Sequence, residues 1–488
     1  MTKKAIVIGA GFAGLSAASC LAKEGYEVTV VEKNDTPGGR ARQFTAEGFV
    51  FDMGPSWYWM PDVFEQFFGH FGKKTSDYYD LVRLDPSYGV YFDKKDRLDL
   101  PAGMEGIRQV FESLEPGSSV NLDKFLQEAK YKYEVGMKEF VFKPSLSIWE
   151  FADIRIFINL FRLQLLRSFS GHIRGLFRHP GILQLLEFPV LFLGATPART
   201  PALYSLMNYA DMALGTWYPM GGMYKIIDGM VALAGELGVR FEMATEVSKI
   251  VSRDGIATHV ETNKGNFEAD VVVSAADYRH TDGDLLPAHQ QNYGDKYWEK
   301  RELAPSSLIY YIGVNKRLKG LLHHNLFFDR DFDQHARTIY ETHEWPEDPL
   351  FYVSCPSQTD PSVAPQGCEN LFILIPVAPG MKDTAEIREQ YFQLVMDRLE
   401  QKTGQDIRSS IVFQRSYAHN DFVSDYHAFK GNAYGLANTL MQTAFLKPKL
   451  KSKNISNLYY CGQLTTPGPG VPPSIISGQV VAELIAKS

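Results

Sequence analysis

The chain has 488 residues, 45% of them hydrophobic and 22% charged, with a net charge of -7. That length suggests roughly two to four folding units with room for large cores. The acidic balance argues against nucleic acid as the main partner, because a phosphate backbone calls for a basic face.

Met1-Thr2-Lys3-Lys4 leads straight into Ala5-Ile6-Val7-Ile8 and then Gly9. A cleaved leader needs a longer apolar stretch, so the chain is expected to be uncleaved and cytoplasmic. No stretch offers the ~20 apolar residues of a spanning helix. Cys20, Cys355, Cys368 and Cys461 form no C-x-x-C pair and read as thiols in a reducing compartment.

The run 5–8 predicts a buried parallel strand. Gly9-Ala10-Gly11-Phe12-Ala13-Gly14 follows at once, then a helix over 15–24 ended by Gly25, then a strand over 27–31 with Glu32 at its end. Gly9 permits a tight turn, Gly11 lets a pyrophosphate approach the backbone, and Gly14 lets the helix lie close to the strand. The helix N-terminus suits phosphate. Glu32 falls 23 residues after Gly9, where a carboxylate can accept ribose hydroxyls. These features predict a dinucleotide site. Thr36-Pro37-Gly38-Gly39-Arg40 comes next, with Arg40 as a charge-assisted donor to the diphosphate. Asp52-Met53-Gly54-Pro55-Ser56 makes a further turn.

Residues 89–92 read as a strand, and long helical stretches follow up to about residue 200. Over 151–193, Ile154, Ile156, Phe157, Leu160, Phe161, Leu163, Leu165, Leu166 and Phe169 are interleaved with Arg155, Arg162, Arg167, Arg174 and Arg178. A basic amphipathic stretch of this kind is either a membrane-surface element or a buried helix pair with solvated arginines. Further on, a helix is expected over 224–237, capped by Gly238, then strands over 240–243, 247–251, 258–262 and 271–276. Segments 305–314 and 371–376 are strand-rich, and Asp383-Thr384-Ala385-Glu386 looks like a capping box opening a helix to 401. Near the end, a strand over 457–461 runs into Gly462. A Gly/Pro loop over 465–473 then feeds a helix over 474–487, whose N-terminus can present N–H groups to a ligand.

The glycine–arginine extension after Glu32 resembles the FAD family of amine oxidases, protoporphyrinogen oxidases and carotenoid desaturases. With Pro219-Met220-Gly221-Gly222-Met223, Ser274-Ala275-Ala276-Asp277 and Pro467-Gly468-Pro469-Gly470-Val471-Pro472, nearly the whole chain resembles bacterial carotenoid desaturases of the phytoene-desaturase type. Within that branch it is most similar to the 3,4-desaturases of 1'-hydroxylated carotenoids. Phytoene desaturase is the nearest alternative, and another flavin oxidase of the superfamily or a flavin-stabilised lipid carrier are rivals.

The resemblance implies an α/β (α+β overall) fold. A Rossmann-like FAD domain would take 1–83, 220–300 and 450–488, a mixed-sheet substrate domain 84–140 and 301–449, and a helical, membrane-associating region 141–219. It implies FAD contacts from Gly9, Gly11, Phe12, Ala13 and Gly14, from Glu32 and Lys33, and from Gly39 and Arg40. Gly54, Pro55, Ser56, Val247, Gly462, Gly470, Val471 and Pro472 complete that set. It implies a carotenoid substrate drawn from the inner face of the cell membrane, hydride transfer to flavin, and oxygen or a quinone as electron acceptor. No Ser-His-Asp set or carboxylate pair stands out as an acid–base machine. Asp153, Arg155, His419 and His427 are weighed as bases, and none is assigned.

Overall fold

The computed structural model describes residues 2–93, 97–147, 150, 163–165, 167–191 and 194–488. Strand β1 (Lys4–Ile8) lies at the centre of a five-stranded sheet. On one side it pairs in parallel with β2 (Glu27–Val31), which pairs with Arg240–Glu242. On the other it pairs in parallel with Val271–Ser274, which pairs with Leu458–Tyr460. Continuous apolar strands suit this position because both faces are covered. Ala5 and Val7 pack with helix α1 (Phe12–Lys23) and the C-terminal helix Val471–Ala486. Ile6 and Ile8 face the other way, against Val247, Ile250 and Val260 of a three-stranded antiparallel sheet.

The second sheet has seven strands, in the order Ile411–Tyr417, Ser306–Val314, Glu369–Val377, Phe351–Ser354, His324–Phe327, Tyr88–Tyr91, Arg97–Leu100. All its pairs are antiparallel except the one between 88–91 and 324–327. Leu308, Tyr310 and Ile312 bury one face under Tyr391, Phe392, Val395 and Leu399 of helix Ala385–Thr403. Each such fully buried side chain contributes ~1.5–3 kcal/mol. Ile309, Tyr311 and Tyr352 turn the other face toward Phe49, Phe51 and Phe188. A short antiparallel pair, Leu81–Arg83 with Trp217–Pro219, lies where the chain enters and leaves the helical segment.

Three expectations change in detail. Helix Ala385–Thr403 is capped by Thr384, whose side chain accepts from Ile387 N–H at 3.3 Å. The third helical position is therefore Ile387, which cannot return the bond, so the capping box is one-sided. Asp383 instead pairs with Arg388. Second, α1 begins at Phe12 rather than residue 15, and the C-terminal helix at Val471 rather than 474. A glycine–proline run reads as loop, yet proline fits a first helical turn because its missing N–H has no partner there. Third, the basic stretch divides. Residues 151–162, 166 and 192–193, with Asp153, Arg155 and Arg162, lie outside the described residues. Phe169–Ile173 and Pro180–Leu191 are helices that bury Phe169, Ile173, Ile182, Leu185, Leu186 and Phe188 in the core under the seven-stranded sheet. Arg174 pairs with buried Glu187. This part is a buried helix pair. Among the described residues, no helix is long and apolar enough to cross a membrane.

Candidate active site

The tip of β1 shapes the first half of the site. Gly9 holds φ +99°, and its N–H donates to Val31 O at 2.8 Å. A side chain at Gly14 would collide with the Gly9 carbonyl, so only glycine lets α1 start tight against this turn. Gly38 N–H donates to Ala10 O at 2.8 Å, which seats Gly39 against Gly11. A Cβ on Gly39 would lie 3.3 Å from Gly11 Cα. Bare backbone thus faces the free N–H groups of the first turn of α1.

Glu32 is buried, and protein donors orient its carboxylate. Oε2 accepts from Ala10 N–H at 2.7 Å, and Oε1 from Asn34 N–H at 3.0 Å and Asn34 Nδ2 at 2.8 Å. Oε2, with a single protein donor, keeps lone-pair capacity for a further one. Thr245 N–H donates to Glu32 O at 2.8 Å, which brings Glu246 and Val247 alongside. Lys33 Nζ donates to Ser424 O at 2.7 Å. His427 lies 2.8 Å from Glu246 Oε1, and its ring stacks on His280 at 3.9 Å. The hydrogen bond from His427 holds the Glu246 carboxyl below its ordinary range.

Arg40 is folded inward. Its guanidinium lies 5.0 Å over the Tyr426 ring and donates to Asn432 O at 3.3 Å, while Nε is buried with no protein partner among the described residues. Burial lowers its pKa, and nearby Asp277 opposes that shift. Asp52 ties two of the motifs together. It accepts from Met223 N–H at 2.7 Å and Tyr224 N–H at 3.1 Å, and burial raises its carboxyl to about 6.

At the C-terminal end, Gly462 holds φ +106° and donates to Ser477 Oγ at 2.9 Å. Pro472 and Pro473 have no N–H, so the first turn of this helix offers fewer donors than its position suggests. Helix and α1 are fastened by Ser16 Oγ donating to Ile475 O at 2.7 Å.

These pieces border one cavity of about 1050 Å³. It gathers Gly9, Gly11, Phe12, Ala13, Glu32, Lys33, Gly39, Arg40, Gly54, Pro55, Ser56, Val247, Gly462, Gly470, Val471 and Pro472. Gly14 packs beneath the turn instead. From there the cavity runs along Trp57, Trp59, Met137, Leu163, Phe188, Leu206, Ile309 and Leu374. The acids on its wall, Glu32, Glu246, Asp277 and Asp425, cluster at the Glu32 end. Tyr352 Oη lies 2.6 Å from Nδ1 of His324, which stacks on Trp57 at 4.0 Å, and burial pushes this imidazole far below its usual pKa.

Asn34, His280, Asp425, Tyr426 and Gln463 also border the cavity and were not singled out from sequence. Asp277, the last residue of the quoted Ser274-Ala275-Ala276-Asp277 motif, borders it too and caps helix Tyr278–Asp284. Tyr426 carries no local signal. Of the weighed histidines, His419 lies away from the cavity, with Nε2 2.8 Å from Ala378 O, while His427 sits on its wall.

A glycine-built dinucleotide cradle opening into a long apolar chamber defines a flavin-dependent oxidoreductase. The chain belongs to the family of flavin containing amine oxidoreductases, whose profile matches residues 12–486. It is 43% identical to a carotenoid 3,4-desaturase of Haloarcula japonica over 98% of this chain and 97% of that protein. It is 30% identical to a zeta-carotene-forming phytoene desaturase of Myxococcus xanthus, over 99% and 93% respectively. Among solved structures, an oxidoreductase from Methanosarcina mazei superposes with TM-score 0.64 at 18% identity, covering 98% of this chain and 100% of that one. Cyclohexylamine oxidase from Brevibacterium oxydans gives 0.61 at 16%, covering 100% and 99%. The fold is shared with both. The cofactor is FAD, which fits the residues present: the bare Gly11–Gly39 backbone, the oriented Glu32 carboxylate and the unpartnered Arg40 Nε.

Proposed function

We propose that the protein is a carotenoid 3,4-desaturase that introduces a C-3,4 double bond into a 1'-hydroxylated carotenoid. One observation carries this reading: the cofactor cradle and the apolar chamber are a single cavity whose acids, among the described residues, lie only at the cofactor end. The Haloarcula japonica relative supports the position of the new bond.

FAD, when bound, would supply the acceptor for a hydride removed from a CH2–CH2 unit beside the polyene, the neighbouring carbon losing a proton. The residues of this chain hold and position. Glu32 would accept from a ribose hydroxyl, the Gly11–Gly39 backbone and Arg40 Nε would receive the diphosphate, and Val247 would lie on the adenine side. The Gly54–Ser56 turn and Gly462, Gly470, Val471 and Pro472 would hold the ring system. Trp57, Phe188, Ile309 and Leu374 align an extended hydrocarbon and exclude water. A substrate cation is spread along the polyene, so the chamber needs little acid–base machinery. The FAD domain takes 1–83, 220–300 and 450–488, and the substrate domain 84–140 and 301–449. Region 141–219 meets the cytoplasmic face of the cell membrane, where carotenoid enters, and electrons leave to oxygen or a quinone.

The test is a paired turnover assay. FAD-loaded protein receives liposomes containing either phytoene or a 1'-hydroxylated carotenoid, and products are separated by chromatography with absorption spectra. A red-shifted product from the hydroxylated carotenoid alone is expected. Conversion of phytoene alone would instead assign an earlier desaturation, the activity named for the Myxococcus xanthus relative.

A further inference from the structure

Three polar side chains at or beside the C-terminal loop lack partners. Lys447 Nζ, Asn438 Oδ1 and Thr466 Oγ1 are buried and make no hydrogen bond to the described protein residues. Lys447 is 2% exposed, and Asn438 and Thr466 are each 5% exposed. Asn438, Thr466, Pro467 and Gly468 all border the cavity. Gly468 brings the first two groups together. A Cβ built on it would lie 3.2 Å from Asn438 Oδ1 and 3.4 Å from Lys447 Nζ. Gly468 has no side chain to fill this space, and its φ of +143° disfavours one.

Orphaned buried polar groups are costly, and two beside Gly468, with a third two residues before it on the same loop, call for a ligand that satisfies them. The set has a definite pattern. Asn438 Oδ1 accepts, Lys447 Nζ donates, and Thr466 Oγ1 can do either. An alcohol matches it: its O–H donates to Asn438, and its oxygen accepts from Lys447 and Thr466. A carboxylate or phosphate would face Asn438 Oδ1 acceptor to acceptor. A plain hydrocarbon would leave all three groups unmatched.

We propose that Lys447, Asn438 and Thr466 form a subsite that recognises the hydroxyl group of an otherwise apolar polyene. The inference rests on the desaturase reading above and adds which residues distinguish a hydroxylated chain from a hydrocarbon of the same length. Burial without an acidic partner lowers the Lys447 ammonium to about 7, and both its charged and neutral forms keep N–H donors. A site built to hydrogen-bond a hydroxyl discriminates strongly against an analogue that lacks it, because its own polar groups are then left unpaired.

The experiment measures equilibrium binding to the FAD-loaded protein by perturbation of the flavin absorbance. The probes are a monohydroxylated acyclic carotenoid and the hydrocarbon of the same carbon number and polyene length, each in detergent. Wild type is compared with Asn438→Leu, Lys447→Met and the near-isosteric Thr466→Val, which guards against a variant that fails to fold. Wild type is expected to bind the alcohol at least about tenfold more tightly than the hydrocarbon. That ratio should fall at least about fivefold in each variant. A ratio near one in wild type, or a ratio the variants leave unchanged, overturns the subsite. Loss of FAD from the purified variants also overturns it, assigning the three groups to the cofactor. Failure of wild type to bind either carotenoid removes the desaturase reading itself, and the subsite with it.

Discussion

Replacing Lys447 with methionine should stabilise the protein, and by more at pH 6 than at pH 9. The ammonium is buried, has no hydrogen-bond partner among the described residues, and titrates at about 7 rather than 10.5. In the unfolded chain it regains its ordinary value. Below pH 7 both states carry the proton, and the folded state carries it out of water. At ~1.4 kcal/mol for each pH unit between the two values, the full penalty is ~5 kcal/mol. Between pH 7 and 10.5 only the unfolded chain binds the proton. The penalty fades as pH rises, to ~2 kcal/mol at pH 9. Methionine has a similar unbranched length, so little cavity is left behind. The gain from Lys447→Met should therefore shrink by roughly 3 kcal/mol between pH 6 and pH 9. Urea unfolding of the FAD-loaded proteins at both pH values, followed by circular dichroism, measures it. A gain that does not change with pH, or a variant less stable than wild type at pH 6, would refute the reasoning.

Glu32→Ala should lose FAD, since it removes the ribose acceptor and also frees Ala10 N–H and Asn34 N–H. A full flavin-to-protein ratio after gel filtration would contradict the placement of Glu32. Gly478→Ala should cost ~1–3 kcal/mol, because its Cβ meets the Ala13 carbonyl and lies 2.8 Å from Ala17 N where the two helices touch. An unchanged Tm would show that the helices can slide apart without penalty.

The nucleotide half was legible because its signals are local. Ala5–Ile8, the Gly9–Gly14 turn and Glu32 lie within one short stretch, and each imposes a backbone or burial requirement that few other residues meet. The substrate sheet was legible only as separate apolar runs. Its order depends on the pairing of Tyr88–Tyr91 with His324–Phe327, residues more than two hundred positions apart. The start of the last helix was missed because Val471-Pro472-Pro473 carries loop composition while occupying a helical first turn. Tyr426 and Asn438 were invisible for another reason: nothing near them in sequence marks a wall, and only tertiary folding brings them to the cavity. Lys447 inverts the usual rule that a lysine is solvated. The arginines at 174 and 178 left a membrane-surface element and a buried helix pair equally open, and Arg174 is spent on buried Glu187, a pairing thirteen residues away that periodicity does not reveal.

The close fastening of α1 to the C-terminal helix, and of β1 to Val271–Ser274 and through it to Leu458–Tyr460, has a consequence for biogenesis. The N-terminal turn is made first, but strand Leu458–Tyr460 and the covering helix follow more than four hundred residues later. The cradle therefore cannot close on its cofactor until that segment has been made, and until then the chain exposes the face of α1 that the C-terminal helix covers. Such long-range closure is slow and prone to aggregation. Flavin supply once the C-terminal segment is in place should then set how much of the newly made protein reaches its native state.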